Sequence, residues 1–437
     1  MVEPRVLKGF RDYLPDVEEP RQRMLAAVRQ VFESFGFGPV QTPALEYADV
    51  LMGKYGDEGD KLLYRFLDNG ERDVAMRYDL TVPLARLIGE HGGKLALPFK
   101  RYQMAPVWRA EKPGKGRFRE FMQCDADIVG EPGNRADAEI MLVGLGVLRA
   151  LGVPAFVMRV NDRRILDAAL EHAHIDRAQL LPVLRVVDKL PKIGRDAVAA
   201  ELTSEIQLTP EQSDRLLSLL AREVRSPEDL AQLALELAAT SSGAAGVQGL
   251  SELLAMVDAA GLGANVAVDL SIARGLDYYT STIYETFLVG HESYGSVMSG
   301  GRYDGLMGTF SKAQVPAVGI SLGVDRLLAA LIDLDLLKAR AAGADVFLTY
   351  FSDDEYGATA KIAAELRQAG LRVELALSAQ KLGKQIKLAE RKGYRWVFIV
   401  GAAERERGEV IAKDLSNGSQ TALRLADVGS WVSQFAS

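Results

Sequence analysis

Cysteine and histidine are scarce in this 437-residue chain: one Cys, Cys124, and four His, His91, His172, His174 and His291. A single thiol excludes an internal disulfide framework and any cysteine-rich zinc site. The histidines are scattered, and none has the H-E-x-x-H spacing that sets two ligands on one helical face, which argues against a transition-metal centre. No apolar run approaches the roughly 20 residues of a membrane span. Met1 to Phe10 carries charges and a glycine where a signal peptide needs an unbroken apolar stretch. These absences predict a cytoplasmic protein with no membrane partner. There is no excess of positive charge either: the net charge is −7, so any nucleic-acid contact must be confined to a local basic patch.

The composition, 48% apolar and 25% charged, is that of a globular protein, and the length predicts two or three domains. From Pro20 onward, Met24, Leu25, Val28, Val31, Phe32 and Phe35 recur at helical spacing up to Gly36, which predicts one amphipathic helix. Two β-like runs, Phe99 to Arg109 and Arg119 to Gly130, flank the basic, turn-rich stretch from Lys112 through Lys115 to Arg117 and predict a long antiparallel hairpin with a mobile tip. From about Asp176 to Gly261 the pattern becomes Leu- and Ala-rich and helical, as an insertion would be. Strand-like sequence returns from Val266 to Val289, then Gly300-Gly301-Arg302-Tyr303-Asp304, then a strand-to-helix passage from Ala317 to Leu328. Beyond Gly343 strand and helix alternate, which predicts a small α/β domain with a largely parallel sheet.

Side chains alternate along a strand with a period of two, so Arg119, Phe121, Gln123, Asp125 and Asp127 share one face and Met122, Cys124, Ala126 and Ile128 the other. The second is the core face, with Cys124 a small buried apolar residue. The first combines cation, ring, amide and carboxylates, as the floor of a site for a charged, ring-bearing ligand requires; a solvated sheet face is the plainer alternative. Arg109 falls on the same surface if the hairpin pairs in its simplest register. Arg326 sits in the first turn of the helix that Gly323 opens, where backbone N–H groups favour anions. Two arginines from separate segments would suit a polyphosphate held at both ends.

Trp108-Arg109-Ala110-Glu111 resembles motif 2 of class II aminoacyl-tRNA synthetases, Gly323-Val324-Asp325-Arg326 resembles motif 3, and the Pro20 to Pro43 helix and strand resemble motif 1. The longer stretches Arg77 to Pro83, Gln123 to Asp127, Val160 to Leu166 and Arg274 to Thr280 look like the signatures of histidyl-tRNA synthetases, and the resemblance covers essentially the whole chain. It implies a class II antiparallel-sheet catalytic core in two parts, 1–170 and 262–335, with a helical insertion at 171–261. A linker at 336–343 and a C-terminal α/β anticodon-binding domain at 344–437 would complete the chain.

The resemblance further implies histidine–tRNA ligase activity, with L-histidine, ATP with Mg2+, and tRNA(His) as partners, and a homodimer through motif 1. It assigns Arg109 to the α-phosphate, Glu111 to the adenine amino group, Phe121 to the adenine ring, and Arg117 and Arg326 to the far phosphates. Asp79, Thr81 and Gln123 would receive the amino group of histidine, and Leu80 belongs to the same histidine-binding set. Asp127 would take the imidazole, Tyr278 and Tyr279 would close the pocket, and Arg274 would contact both the carboxylate and the α-phosphate. Arg109 and Arg274 carry the catalytic role.

Asn161-Asp162-Arg163-Arg164 belongs to a signature, yet by its residue types is a turn and helix cap. The Gly300 to Asp304 segment suits either a tight turn with an internal Arg–Asp pair or a wall of the amino-acid pocket. Lys381, Lys384, Lys387 and Arg391 recur every three or four residues on one predicted helical face, which suits a phosphate backbone and, given the family, tRNA. A non-catalytic synthetase paralogue regulating histidine biosynthesis is the rival; such paralogues lack the C-terminal domain and alter the Arg274 to Tyr279 segment, and this chain has both.

Overall fold

The computed structural model describes residues 2–114, 116–272, 278–310, 314–338 and 342–433. It divides into two compact units, one of residues 1–12 and 22–337 and one of residues 13–21 and 338–437.

The first unit contains β1 (Gly38–Pro39), β2 (Leu45–Tyr47), β3 (Arg65–Leu67), β4 (Asp73–Met76), β5 (Phe99–Trp108), β6 (Glu120–Val129), β7 (Phe156–Asp162), β8 (Val266–Val268), β9 (Thr282–Leu288), β10 (Met298–Arg302) and β11 (Ala317–Gly323). Eight of these strands form one sheet in the order β1-β5-β6-β11-β10-β9-β7-β8. Its interior pairings are antiparallel, and only the outermost pairs, β1 with β5 and β7 with β8, are parallel. The predicted hairpin is β5 and β6, paired from Phe99↔Val129 to Trp108↔Glu120. At its tip Gly114 and Arg117 bridge each other; Lys115 lies outside the described residues.

Cys124, Ala126 and Ile128 are buried on the core face as alternation requires. The helix Asn134–Ala150 packs on that face, and its close approach depends on Gly144: a Cβ there would stand 2.6 Å from Ile320 Cδ1 and 2.7 Å from Met298 Sδ. The opposite face of β6 and β11 is thereby left to line a cavity. Between β7 and β8 the chain is helical, with helices such as Pro210–Leu220 and Gly243–Ala259. Asp162 caps the helix Arg163–His172, its carboxylate accepting the Arg164 N–H at 2.8 Å, so the cap expected of that signature is present.

Two expectations need correction. The first helix runs Pro15–Ser34 rather than starting at Pro20. Pro15 fills the first helical position, where a missing N–H costs nothing, and Pro20 is tolerated further in at the loss of one backbone bond. In the second unit the sheet order is β13-β12-β14-β15-β16, with β12 (Val346–Leu348), β13 (Val373–Leu375), β14 (Trp396–Ile399), β15 (Glu409–Asp414) and β16 (Gln420–Arg424). Only β13-β12-β14 is parallel; β15 and β16 add an antiparallel hairpin, so the sheet is mixed rather than largely parallel. Its core joins Phe347, Leu348, Val397 and Phe398 to Ile362, Ala363, Leu366 and Ala389 from the helices Tyr356–Gln368 and Leu382–Arg391.

Candidate active site

A cavity of about 460 Å3 opens on the exposed face of β6, β11 and β10. Asp79, Thr81, Arg109, Glu111, Arg117, Phe121, Gln123, Asp127, Tyr278, Tyr279 and Arg326 all line it, so residues separated by more than half the chain converge on one space. Arg274 lies outside the described residues. Leu80 departs from expectation: its side chain is fully buried in a small cluster with Ala105, Val107 and Phe121, and only its backbone faces polar groups, the carbonyl accepting from Arg101 Nη2 at 3.1 Å. Arg119 also leaves the floor. Its guanidinium donates to the Glu111 and Lys8 carbonyls at 3.0 and 3.2 Å, which ties the N-terminal segment to the hairpin.

Several of the lining residues offer acceptors. Asp79 precedes the helix Thr81–His91, and its Oδ1 accepts from the N–H groups of Thr81 and Val82 and from Tyr55 Oη at 3.2, 3.0 and 3.1 Å, while Oδ2 is buried without a partner. Burial raises the Asp79 pKa, with the Val82 N–H opposing the shift. Gln123 Nε2 donates to Ser321 Oγ at 2.7 Å, leaving Oε1 buried and unpartnered. Asp127 is differently placed: its Oδ2 lies 2.8 Å from Arg101 Nη2, an ion pair between two buried groups, and its Oδ1 accepts from Tyr303 Oη. Gly319 makes that arrangement possible, since a Cβ there would come within 1.9 Å of Asp127 Oδ1. Burial still raises the Asp127 pKa against the pull of Arg101. Tyr278 and Tyr279 meet edge to face with centroids 5.1 Å apart, and burial holds both phenols protonated.

Other lining residues offer donors. Arg109 Nε donates to the Tyr78 carbonyl at 3.1 Å, and its guanidinium stands 4.2 Å from the Tyr78 ring centroid and 5.1 Å from that of Phe121. Stacking of this kind fixes a planar cation while leaving edge N–H groups for a ligand. Arg117 lies 4.0 Å from Glu111. Arg326, in the first turn of the helix Val324–Asp333, donates to the Ser296 carbonyl, and its neighbour Asp325 accepts from the Met122 N–H at 3.0 Å and from Arg11. The Gly300 to Asp304 segment does both things expected of it: Gly300 and Tyr303 line the cavity, while Arg302 is buried against Asp137 and reaches Asp304 at 3.2 Å.

Arg101 is the residue that the sequence does not single out. Its signal lay in the register, since the hairpin pairs Arg101 with Asp127, which makes a cation in an otherwise core-facing strand the natural partner of that carboxylate.

The family model for histidyl-tRNA synthetase matches residues 9–327, and that for an anticodon binding domain matches residues 345–435. This chain belongs to the histidyl-tRNA synthetase family. The histidine–tRNA ligase of Rhodopirellula baltica is 45% identical over 417 residues, which cover 95% of this chain and 94% of that one. The crystal structure of the histidyl-tRNA synthetase from Nostoc sp. PCC 7120 matches with a TM-score of 0.89 at 33% identity, covering 99% of this chain and all of that one. A Bacillus halodurans structure described as an ATP phosphoribosyltransferase regulatory subunit/histidyl-tRNA synthetase matches with a TM-score of 0.76 over 91% of this chain and 99% of that one; at 22% identity it shares the fold alone.

Among the described residues no helix is long and apolar enough to cross a membrane, and no group of three or more His, Cys, Asp or Glu is placed to hold a metal ion.

Proposed function

We propose that this chain is a histidine–tRNA ligase that activates L-histidine with ATP and transfers it to tRNA(His). The observation that carries the reading is the make-up of the cavity: its lining combines unpartnered acceptors at Asp79 and Gln123 with the cations Arg109, Arg117 and Arg326. An ammonium-bearing substrate fits the acceptors and a triphosphate the cations.

In the first step the histidine carboxylate attacks the α-phosphorus in line and pyrophosphate leaves. Asp79, Thr81 and Gln123 hold the ammonium, Phe121 and Glu111 the adenine, and Arg109 the α-phosphate; Arg117 and Arg326 hold the far phosphates. Arg274 takes its part in the same step by family resemblance. Cations around a phosphorus that gains negative charge lower the barrier because they are already oriented when the charge develops. Asp127 and the tyrosines Tyr278 and Tyr279 face the imidazole. Magnesium would enter with the nucleotide and neutralise charge on its phosphates. In the second step the terminal ribose hydroxyl of tRNA attacks the mixed anhydride.

The second unit supplies the tRNA surface. Lys381, Lys384, Lys387 and Arg391 are all exposed, while Gln385 and Ala389 turn inward. Lys381 stands at the N-cap of that helix, where the dipole favours an anion over the lysine itself and so favours a bound phosphate. Lys112, Lys115 and Arg117 of the hairpin tip would meet the acceptor end. The catalytic core at 1–170 and 262–335, the insertion at 171–261 and the C-terminal domain at 344–437 would work as a cytoplasmic homodimer.

The test is amino-acid-dependent ATP–pyrophosphate exchange across all twenty amino acids. Histidine alone should support exchange, and Arg109→Ala should lower it by about 100- to 1,000-fold, the scale of losing one preorganised charge-stabilising group. Histidine binding with no exchange for any amino acid would instead favour the regulatory paralogue.

A further inference from the structure

We propose that Arg11, in the N-terminal segment, is a positioning residue for the nucleotide, neutralising Asp325 and holding Phe118 so that Arg326 and Arg117 meet the far phosphates; the proposal deepens the ATP reading of this cavity and rests on it.

Residues 8–11 lie across the base of the hairpin and touch both of its arms. On one arm a Cβ at Gly9 would stand 3.0 Å from Pro113 Cγ, and on the other 2.7 Å from Arg119 Cδ. Gly9 also has a φ of +89°, so close approach and backbone conformation both require glycine there. Its carbonyl accepts from the Arg119 N–H at 2.8 Å, and the Arg119 carbonyl accepts from the Arg109 N–H at 2.9 Å. The Lys8 carbonyl accepts from Arg119 Nη1 at 3.2 Å. These bonds seat the segment on the hairpin without using the Arg11 side chain.

That side chain reaches two residues of the cavity wall. Its guanidinium stands 3.8 Å from the centroid of the Phe118 ring and pairs with Asp325. Phe118 and Asp325 line the cavity, as do the cations next to them in sequence, Arg117 and Arg326, whereas Arg11 is not among the lining residues and acts through its neighbours. Asp325 is 4% exposed, and its other oxygen accepts from the Met122 N–H at 3.0 Å. A buried carboxylate on the wall of a triphosphate site would repel the ligand, because like charges interact strongly where water is excluded. Arg11 cancels that charge. Its stacking on Phe118 also fixes the residue that follows Arg117, and so limits where the Arg117 guanidinium can point.

The experiment measures histidine-dependent ATP–pyrophosphate exchange for wild type, Arg11→Gln, Arg11→Lys, Asp325→Asn and the double variant Arg11→Gln/Asp325→Asn. We expect Arg11→Gln to raise the ATP KM by about tenfold, the scale of one charge-assisted contact, with the histidine KM within about twofold of wild type. Arg11→Lys keeps a cation beside Asp325 and should stay within about threefold of wild type. Asparagine at position 325 still offers an acceptor to the Met122 N–H but carries no charge to cancel, so in that background Arg11→Gln should cost less than about threefold. A role confined to folding would not distinguish the two substrates or depend on the charge at position 325. An unchanged ATP KM in Arg11→Gln, a parallel rise in the histidine KM, an undiminished loss in the Asp325→Asn background, or failure of Arg11→Gln to fold each overturns the proposal. A wild-type chain that supports exchange with no amino acid overturns the ligase reading itself, an outcome distinct from those four.

Discussion

The cavity of the first unit and the basic helix of the second both present charge to a ligand, but they hold it in opposite ways. Asp79, Asp125 and Asp127 in the cavity, and Arg101 behind Asp127, are at most 2% exposed, and several of their polar atoms are left unpartnered. On the helix, Lys384, Lys387 and Arg391 are exposed and solvated, with no ion pair to a described residue. Buried charge is expensive and directional, so few groups decide which small molecule is accepted. Exposed charge is cheap and screened, so it suits a large polyanion that meets many groups at once. The difference forecasts how each region answers to substitution.

The largest effect should come from Asp127→Ala. The change strands the Arg101 guanidinium, which is 0% exposed and has Nε and Nη1 already without partners. Removing one member of a buried pair costs about 3–5 kcal/mol. We expect a matching fall in the urea midpoint of the first unit, and a loss below about 1 kcal/mol would mean that water reaches Arg101 and that the two regions differ less than burial implies.

Asp125→Asn should act with the opposite sign in the absence of ligand. Burial, with Asp127 adding to it and Arg101 and Ser321 opposing, pushes the Asp125 pKa from its ordinary 3.8 up to about 7. The folded state thus holds this proton more tightly than the unfolded state does. Below about pH 4 the group carries no penalty; the cost grows as pH rises and is complete above about pH 7. Asparagine removes that cost, so the variant should match wild type near pH 4 and exceed it by about 1–3 kcal/mol at pH 8, measured by urea unfolding without histidine. Equal stability at both pH values would show that the carboxylate is already compensated.

These contrasts mark what a linear sequence can reveal. The two faces of β6 were legible because alternation is a local rule, and Arg326 because a strand-to-helix junction is local too. The exposed lysines of Leu382–Arg391 follow from helical period alone. Arg101 was not singled out, since its meaning depends on a partner across the hairpin, and with it went the difference between Asp125 and Asp127. Leu80 illustrates the same limit: beside Asp79 and Thr81 it belongs to one signature, but the turn into the helix Thr81–His91 sends its side chain into the core. The antiparallel pair β15 and β16 escapes the sequence because the apolar residues of Glu409–Asp414 and Gln420–Arg424 run consecutively, as Val410-Ile411-Ala412 and Ala422-Leu423, rather than alternating with polar ones as a half-buried strand signals.

The smallest individual effects belong to the basic helix, where the comparison can be made quantitative. Replacing Lys384, Lys387 or Arg391 by Ala removes a solvated cation whose neighbours are water, so stability should stay within about 0.5 kcal/mol. Each change should weaken tRNA binding a few-fold and lower the slope of log affinity against log salt by about 0.7, the value for a phosphate of a single strand. Removing all three should lower it by about 2, with ATP–pyrophosphate exchange unchanged, because that reaction needs no tRNA. Lys392 and Arg395 provide the internal control: they are already paired with Glu374 and Asp414, so their removal should change the salt slope much less. If instead one lysine carried the whole effect and resisted salt, this helix would be binding phosphate as the cavity binds its ligand, through a fixed and desolvated contact, and the contrast between the two regions would fail at that residue.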